Sequence, residues 1–165
     1  MSAADLEAVE SAVVASLEAV GLPYELLPCD PELADTAAFC EAYGVAPEDS
    51  ANTIVVASKR EPRSFVACVV LATSRLDVNG AVKRRLDAGK VSFASADDTK
   101  ALTGMLVGGV TPFGLPPEVP VWIDAAVMAR PEVVVGGGSR SLKVRLPPDG
   151  LARLATAEVV EGLAS

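Results

Sequence analysis

Two apolar, β-branched runs, NTIVVAS (52–58) and SFVACVVLA (64–72), flank the charged turn-like segment KREPR (59–63). Continuous apolar runs of this length, bounded by turn residues, read as strands covered on both faces. Joined by a short polar connection, they read as a hairpin. This pair sets what the rest of the chain must do: supply more strands beside the hairpin and helices over it.

The remaining pattern fits that demand. Ser2 and Asp5 have capping-box spacing, and Leu6, Val9, Val13, Leu17 and Val20 follow at helical spacing up to Gly21. YELLP is a short strand. A second helix is expected up to Gly44, capped by Asp30 or Asp35. Asn79 is expected to cap a basic helix over GAVKRRLDAG, with Val82 and Leu86 inward, and Ser95 with Asp98 to box the next helix. VPVWID, EVVVG and SLKVRL read as strands, with AAVMA a short helix, GGSR a turn, Trp122 in the core, and PPDGLARLATAEVV a closing helix. Strands arranged as hairpins predict an α/β fold of the α+β type: a mixed, mostly antiparallel, bent sheet with flanking helices. At 165 residues, half of them apolar and 4% aromatic, a single domain over 1–165 with a core of Val, Leu and Ala is expected.

Composition narrows the chemistry. The chain has no histidine, which removes the usual neutral-pH base and the commonest metal ligand. Cys29, Cys40 and Cys68 are odd in number and widely spaced, so they read as small buried hydrophobes in a reducing cytoplasm rather than a disulfide framework or zinc site. No metal or cofactor is expected. No apolar run approaches the roughly 20 residues of a membrane helix, and the first residues lack the pattern of a secretory signal. The net charge is −8, yet residues 1–50 hold eleven acids and no Lys or Arg, and residues 51–165 carry a net +3. Lys83, Arg84 and Arg85, with Arg140 in a second group, are therefore candidate phosphate contacts; a solvated surface is the alternative.

The segment LTGMLVGGVTPFGLPPEVPVWID (102–124) holds four glycines and four prolines among apolar residues. Glycine lets backbone approach closely, and proline fixes φ and removes a donor, so such a loop can aim several N–H groups at one spot. That would bind an anion or a developing oxyanion. A tight structural connection is the alternative. No Gly-Lys-Ser/Thr follows, which excludes a P-loop, and VVVGGGSR lacks dinucleotide-binding spacing.

Taken together, LTGMLVGGVTPFGLP, PVWIDAAV and VVVGGGSRSLKVRL resemble the YbaK-type aminoacyl-tRNA deacylases, whose relatives form the editing domain inserted in bacterial prolyl-tRNA synthetases. The upstream AYGVAPED, NTIVVAS, FVACVVLATSRLD and FASADDTKALTG follow in a similar order. The resemblance, from about residue 23 onward, implies hydrolysis of the ester between a wrong amino acid and the tRNA 3′ end. It implies mischarged tRNA as partner, an aminoacyl-tRNA synthetase as a further one, and a cytoplasmic location. Carried over, it places Gly104, Gly108, Gly109, Thr111, Pro112, Phe113 and Gly114 at the pocket wall, Asp124 at an acidic position, and Gly137, Gly138 and Ser139 in a nearby turn.

The family's substrate-holding lysine falls at Asn52, which brings a donor and an acceptor but no charge. Lys59 lies seven residues along the strand, roughly 23 Å away if extended; Arg140 or Lys143 could bring charge from another strand. Asn52 thus reads as a substrate contact, a mark of divergent specificity or non-hydrolytic binding, or a turn residue. The expected mechanism is water attack with the oxyanion held by amides around Gly108 to Gly114. Thr111 or Ser139 would orient the water. The base is Asp124, the vicinal ribose hydroxyl or the substrate amine, and Asp124 also reads as a helix cap. The alternatives are a catalytically impaired binding module of the same fold, recognising an aminoacyl-tRNA or nucleotide-like ligand, and a structural subunit whose acidic first 50 residues meet a basic partner.

Overall fold

The computed structural model describes residues 2–165. Ser2 opens α1 (Ala3–Val20) with a reciprocal cap: its hydroxyl accepts from the Asp5 amide at 3.1 Å and its own amide donates to Asp5 Oδ2 at 3.1 Å. Gly21, at φ 78°, ends the helix. β1 (Glu25–Pro28) follows, then a 3-10 turn (Pro31–Leu33) capped by Asp30, and α2 (Thr36–Tyr43). The hairpin forms as β2 (Ala51–Ser58) and β3 (Phe65–Leu71), in register from Ala51 opposite Leu71 to Ala57 opposite Phe65.

Past the hairpin, the basic helix differs from expectation. A π-wound turn (Val78–Val82) leads into α3 (Lys83–Leu86), and the cap is Asp77 rather than Asn79. Asp77 accepts from the Gly80 and Ala81 amides, one on each carboxylate oxygen, each at 3.1 Å, while Asn79 lies inside the turn, past the cap position. After β4 (Val91–Phe93) comes α4 (Ala96–Thr103), where Ser95 accepts from the Asp98 amide. The return half of that box is absent, because Asp98 pairs with Arg63 at 3.1 Å.

β5 (Val121–Asp124), α5 (Ala125–Met128), β6 (Val133–Gly136) and β7 (Leu142–Leu146) match expectation. The closing helix shrinks to one turn, α6 (Asp149–Ala152); Ala157–Val160 is instead β8, parallel to β5.

The strands form two sheets, in the orders β4-β2-β3-β5-β8 and β1-β7-β6, joined where Ser50 bridges to Val134. Four strand pairs are antiparallel and two parallel, the mixed, mostly antiparallel fold expected. β3 is apolar throughout because both its faces are covered. Ala67 and Val69 pack with Val13, Leu17, Phe113 and the inner faces of β6 and β7, whereas Val66, Cys68 and Val70 pack with Val82, Trp122 and Leu163. A third cluster seats α2 through Phe39 and Cys40 against Val134. No described helix is long and apolar enough to cross a membrane.

Candidate functional site

β4 pairs with β2 only at Val56–Ser58, so the edge of β2 from Ala51 to Val55 has no strand beside it. Along an antiparallel ladder, alternate residues bond to opposite sides. The Ala72 amide bonds to the Ser50 carbonyl, and the Ser58 amide to the Ser64 carbonyl, so even-numbered residues of β2 serve β3. Odd-numbered ones point outward. The Val55 carbonyl accepts from Ala94 at 2.9 Å, while Thr53, two residues earlier, faces a side on which no strand is laddered to β2. A cavity of about 300 Å³ lies along this edge, bordered by the start of α2, the 107–110 loop and β6. Thr53 lines it, and its Oγ1 is buried without a hydrogen-bond partner.

Lys143 lines the same cavity. It sits in the middle of β7, opposite Leu27 on one side and Gly136 on the other, and is only 7% exposed. Its Nζ donates to the Ala34 and Gly108 carbonyls, each at 2.7 Å, and lies 5.4 Å from the Phe39 ring centroid. Two acceptors and an aromatic face compensate part of the desolvation of the ammonium. Burial still holds its pKa below the ordinary lysine value, with Arg140 pressing the same way and Cys29, Asp35 and Cys40 opposing. An ammonium has three N–H groups; the third has no partner among the described residues.

Arg140 fastens the same two loops. Its Nε donates to the Pro31 carbonyl at 3.0 Å, and Nη1 to the Val107 carbonyl at 2.8 Å and Asp35 at 3.1 Å. Gly108 adopts φ 91°, and an added Cβ there would strike the Arg140 guanidinium. At Gly109 a Cβ would lie 2.5 Å from the Ser139 carbonyl, and Gly138 donates to Gly109 O at 2.7 Å. The glycines here serve backbone packed against backbone.

This arrangement moves much of the expected site. Asn52 and Gly108 do line the cavity, and Asn52 Oδ1 accepts from Thr36 Oγ1 at 2.7 Å. The Gly109 amide is closed by the Leu106 carbonyl at 2.8 Å; those of Gly108 and Val110 have no acceptor among the described residues. Gly104 ends α4. Thr111, Pro112 and Phe113 are buried outside the cavity lining, Phe113 within the main core, and Gly114 packs on α1. Gly137 and Ser139 are tied internally, to the Leu142 carbonyl and to Glu10, and Gly138 packs on Val9. Asp124 lies outside the cavity lining and holds the N-cap position of α5 without a side-chain cap bond; buried, its Oδ1 accepts the Leu163 and Ala164 amides at 3.1 and 3.3 Å and fixes the C-terminal tail. Asp35 is the one carboxylate among the described residues lining the cavity.

Of the expected phosphate contacts, Arg85 pairs with Glu158 and stacks 5.1 Å from the Trp122 centroid, and Arg140 is engaged as described. Arg84 is exposed and Lys83 half-buried on α3. Thr36, Thr53 and Phe93 border the cavity without a signal in the sequence pattern, because the start of α2, the unpaired edge of β2 and the end of β4 meet there only in the fold.

Comparison with known proteins identifies the family and the fold. Residues 30–154 match the family model described as the aminoacyl-tRNA editing domain. The chain is 25% identical over 122 residues to the "Putative Cys-tRNA(Pro)/Cys-tRNA(Cys) deacylase EbsC" of Enterococcus faecalis (strain ATCC 700802 / V583), covering 73% of this chain and 72% of that protein. Among solved structures, the hypothetical protein APE2540 superposes with a TM-score of 0.82 at 27% identity, over 93% of this chain and 99% of that one. A structure described as "a putative trans-editing enzyme for prolyl tRNA synthetase" shares the fold, with a TM-score of 0.79 at 23% identity over 93% and 95% of the two chains.

Proposed function

The chain belongs to the aminoacyl-tRNA editing domain family, and on that premise we propose that it hydrolyses the ester of a mischarged tRNA in the cavity beside β2. The observation that carries this reading is Lys143. A buried ammonium with one free N–H sits in the cavity that Asn52 borders. Its charge takes the place of the lysine that the family resemblance puts at position 52, and it arrives from a different strand.

The aminoacyl end enters with its ester carbonyl toward Lys143 and the amides of Gly108 and Val110. Water adds to the carbonyl carbon. Asp35 is engaged by Arg140, so the water's proton passes to the vicinal ribose hydroxyl or the substrate amine. Charge growing on the carbonyl oxygen meets the third N–H of Lys143, in a site where fixed donors act more strongly than in water. Collapse breaks the ester C–O bond, and the ribose oxygen takes the proton. Ala51, Ala94, Ala96 and Gly136 at the walls favour a small amino acid, and the enterococcal relative's name puts Cys-tRNA(Pro) first in the panel. Mischarged tRNA is the partner, delivered by a synthetase.

The test is deacylation of tRNAs charged with Cys, Ala and Ser by the wild type and by Lys143→Met. Turnover by the wild type that drops about 10²–10³-fold in the variant is expected, the effect of removing one oxyanion donor. Tight binding of these tRNAs with no turnover would replace hydrolysis by the binding module that Asn52 favours.

A further inference from the structure

Phe93 is 60% exposed, whereas Phe39 and Phe113 are fully buried. It is the last residue of β4, opposite Val56, and it lines the mouth of the cavity. Val91, on the same face of the strand, is 7% exposed. Nothing among the described residues covers Phe93, though burying a phenylalanine is worth about 1.5–3 kcal/mol. Val107, 58% exposed, borders the same cavity from the Gly-rich loop.

The other end of β4 is basic. The Lys59 amide donates to the Lys90 carbonyl at 3.0 Å, which sets the tip of the β2–β3 hairpin against the start of β4. Lys59, Arg60 and Lys90 are exposed, and none of their side chains has a hydrogen bond or ion pair among the described residues. Glu61 is the one acid at the tip, and Arg63 is engaged with Asp98. Three residues of extended strand span about 10 Å and alternation turns Lys90 and Phe93 to opposite faces, but β4 is an edge strand, so one ligand touches both by crossing its free edge. An aromatic platform with unpaired cations beside it is the arrangement that holds single-stranded nucleic acid.

We propose that β4 is the track for the tRNA 3′ end: Phe93 stacks the terminal base, and Lys59, Arg60 and Lys90 hold the phosphates that precede it. The proposal rests on the editing reading but can fail separately from it. It also relocates the RNA contact from Lys83 and Arg84, which the sequence favours, to the hairpin tip.

The first experiment needs no turnover: binding of a short RNA ending in cytidine-cytidine-adenosine at low salt. Phe93→Ala is expected to weaken it roughly 5- to 150-fold, the range that stacking on one aromatic supplies, and Phe93→Trp to preserve it. Neutralising Lys59, Arg60 and Lys90 together should flatten the log K against log salt slope by about 0.7 for each phosphate that no longer meets a cation. The second experiment is deacylation, in which Phe93→Ala raises KM and leaves kcat in place. A wild type that deacylates tRNA while Phe93→Ala changes neither KM nor oligonucleotide binding overturns the track and leaves the editing function standing. A wild type that deacylates nothing but binds the oligonucleotide through Phe93 does the reverse. No oligonucleotide binding, or a greater weakening on neutralising Lys83 and Arg84, also overturns it and returns Phe93 to the candidates for a protein contact.

Discussion

The two halves of β2 are alike in composition and opposite in use. From Val56 to Ser58 the strand is paired on both sides, by β3 and β4, and its backbone groups are satisfied within the sheet. From Ala51 to Val55 its only laddered neighbour is β3, and Thr53 presents a buried hydroxyl without a partner beside a cavity. Nothing in β2 itself dictates the difference. β4 is three residues long and turns away at Ala94, so an edge that a longer strand would have covered becomes the wall of a site. Buried unpaired polar groups are costly to stability and therefore informative about function.

The largest expected effect tests whether the open half holds the chemistry. Lys143→Gln should lower kcat/KM about 10²–10³-fold, roughly 3–4 kcal/mol, although it keeps a donor for one loop carbonyl. The lowered pKa of Lys143 gives a second signature with opposite signs in rate and stability. The ammonium is lost as pH rises through the folded-state pKa, so the rate above uncatalysed hydrolysis should fall there, below the ordinary lysine range. Across the same interval the unfolded chain binds more protons than the folded one, so stability should rise with pH until the ordinary value is reached. Lys143→Gln should abolish both slopes. If stability and rate fell together, the alkaline limb would report unfolding and not Lys143.

The next two effects set the halves against each other. Val56 is fully buried in the paired half, and Val56→Ala should destabilise by roughly 2 kcal/mol, about 5 °C in Tm, with kcat of the folded protein unchanged. Thr53→Val is nearly isosteric and removes a buried hydroxyl with no partner, so it should stabilise by about 1 kcal/mol while raising KM. Opposite signs in thermal melts, with the KM change confined to Thr53→Val, sharpen the comparison. Equal destabilisation by both would show that Thr53 has a partner in the folded protein and that the edge is not free.

How much of this was legible in the sequence follows from what is local. The hairpin, the α1 cap and the glycine stops at Gly21 and Gly44 were readable because neighbours in sequence decide them. β8 was not: AEVV follows a helical turn, and only its parallel pairing to β5, far back in the chain, makes it a strand. The site divides the same way. A Gly/Pro-rich wall was visible as composition, but which of its amides are free depends on turns such as that closing Gly109 onto Leu106. In LKVRL, Lys143 and Arg145 alternate as equivalent outward cations. The structure separates them, because the 34–36 segment and α2 cover Lys143 while Arg145 stays among Glu25 and Glu132 at the surface.

Asp124 gives the smallest expected effect and the cleanest check on where the site is. It ends β5, opposite Val160 of β8 and outside the cavity lining. Its Oδ1 takes the two amides of Leu163 and Ala164, and a carboxamide oxygen can take the same pair. Asp124→Asn should therefore leave kcat and KM within about twofold of wild type and shift Tm by no more than a few degrees. A general base gives a different result: loss of its proton affinity lowers kcat by roughly 10²–10⁴ with the fold intact. A loss of that size, with an unchanged melting curve, would move the chemistry from the open edge of β2 to the closed end of β5 and leave the cavity beside Lys143 without a reaction.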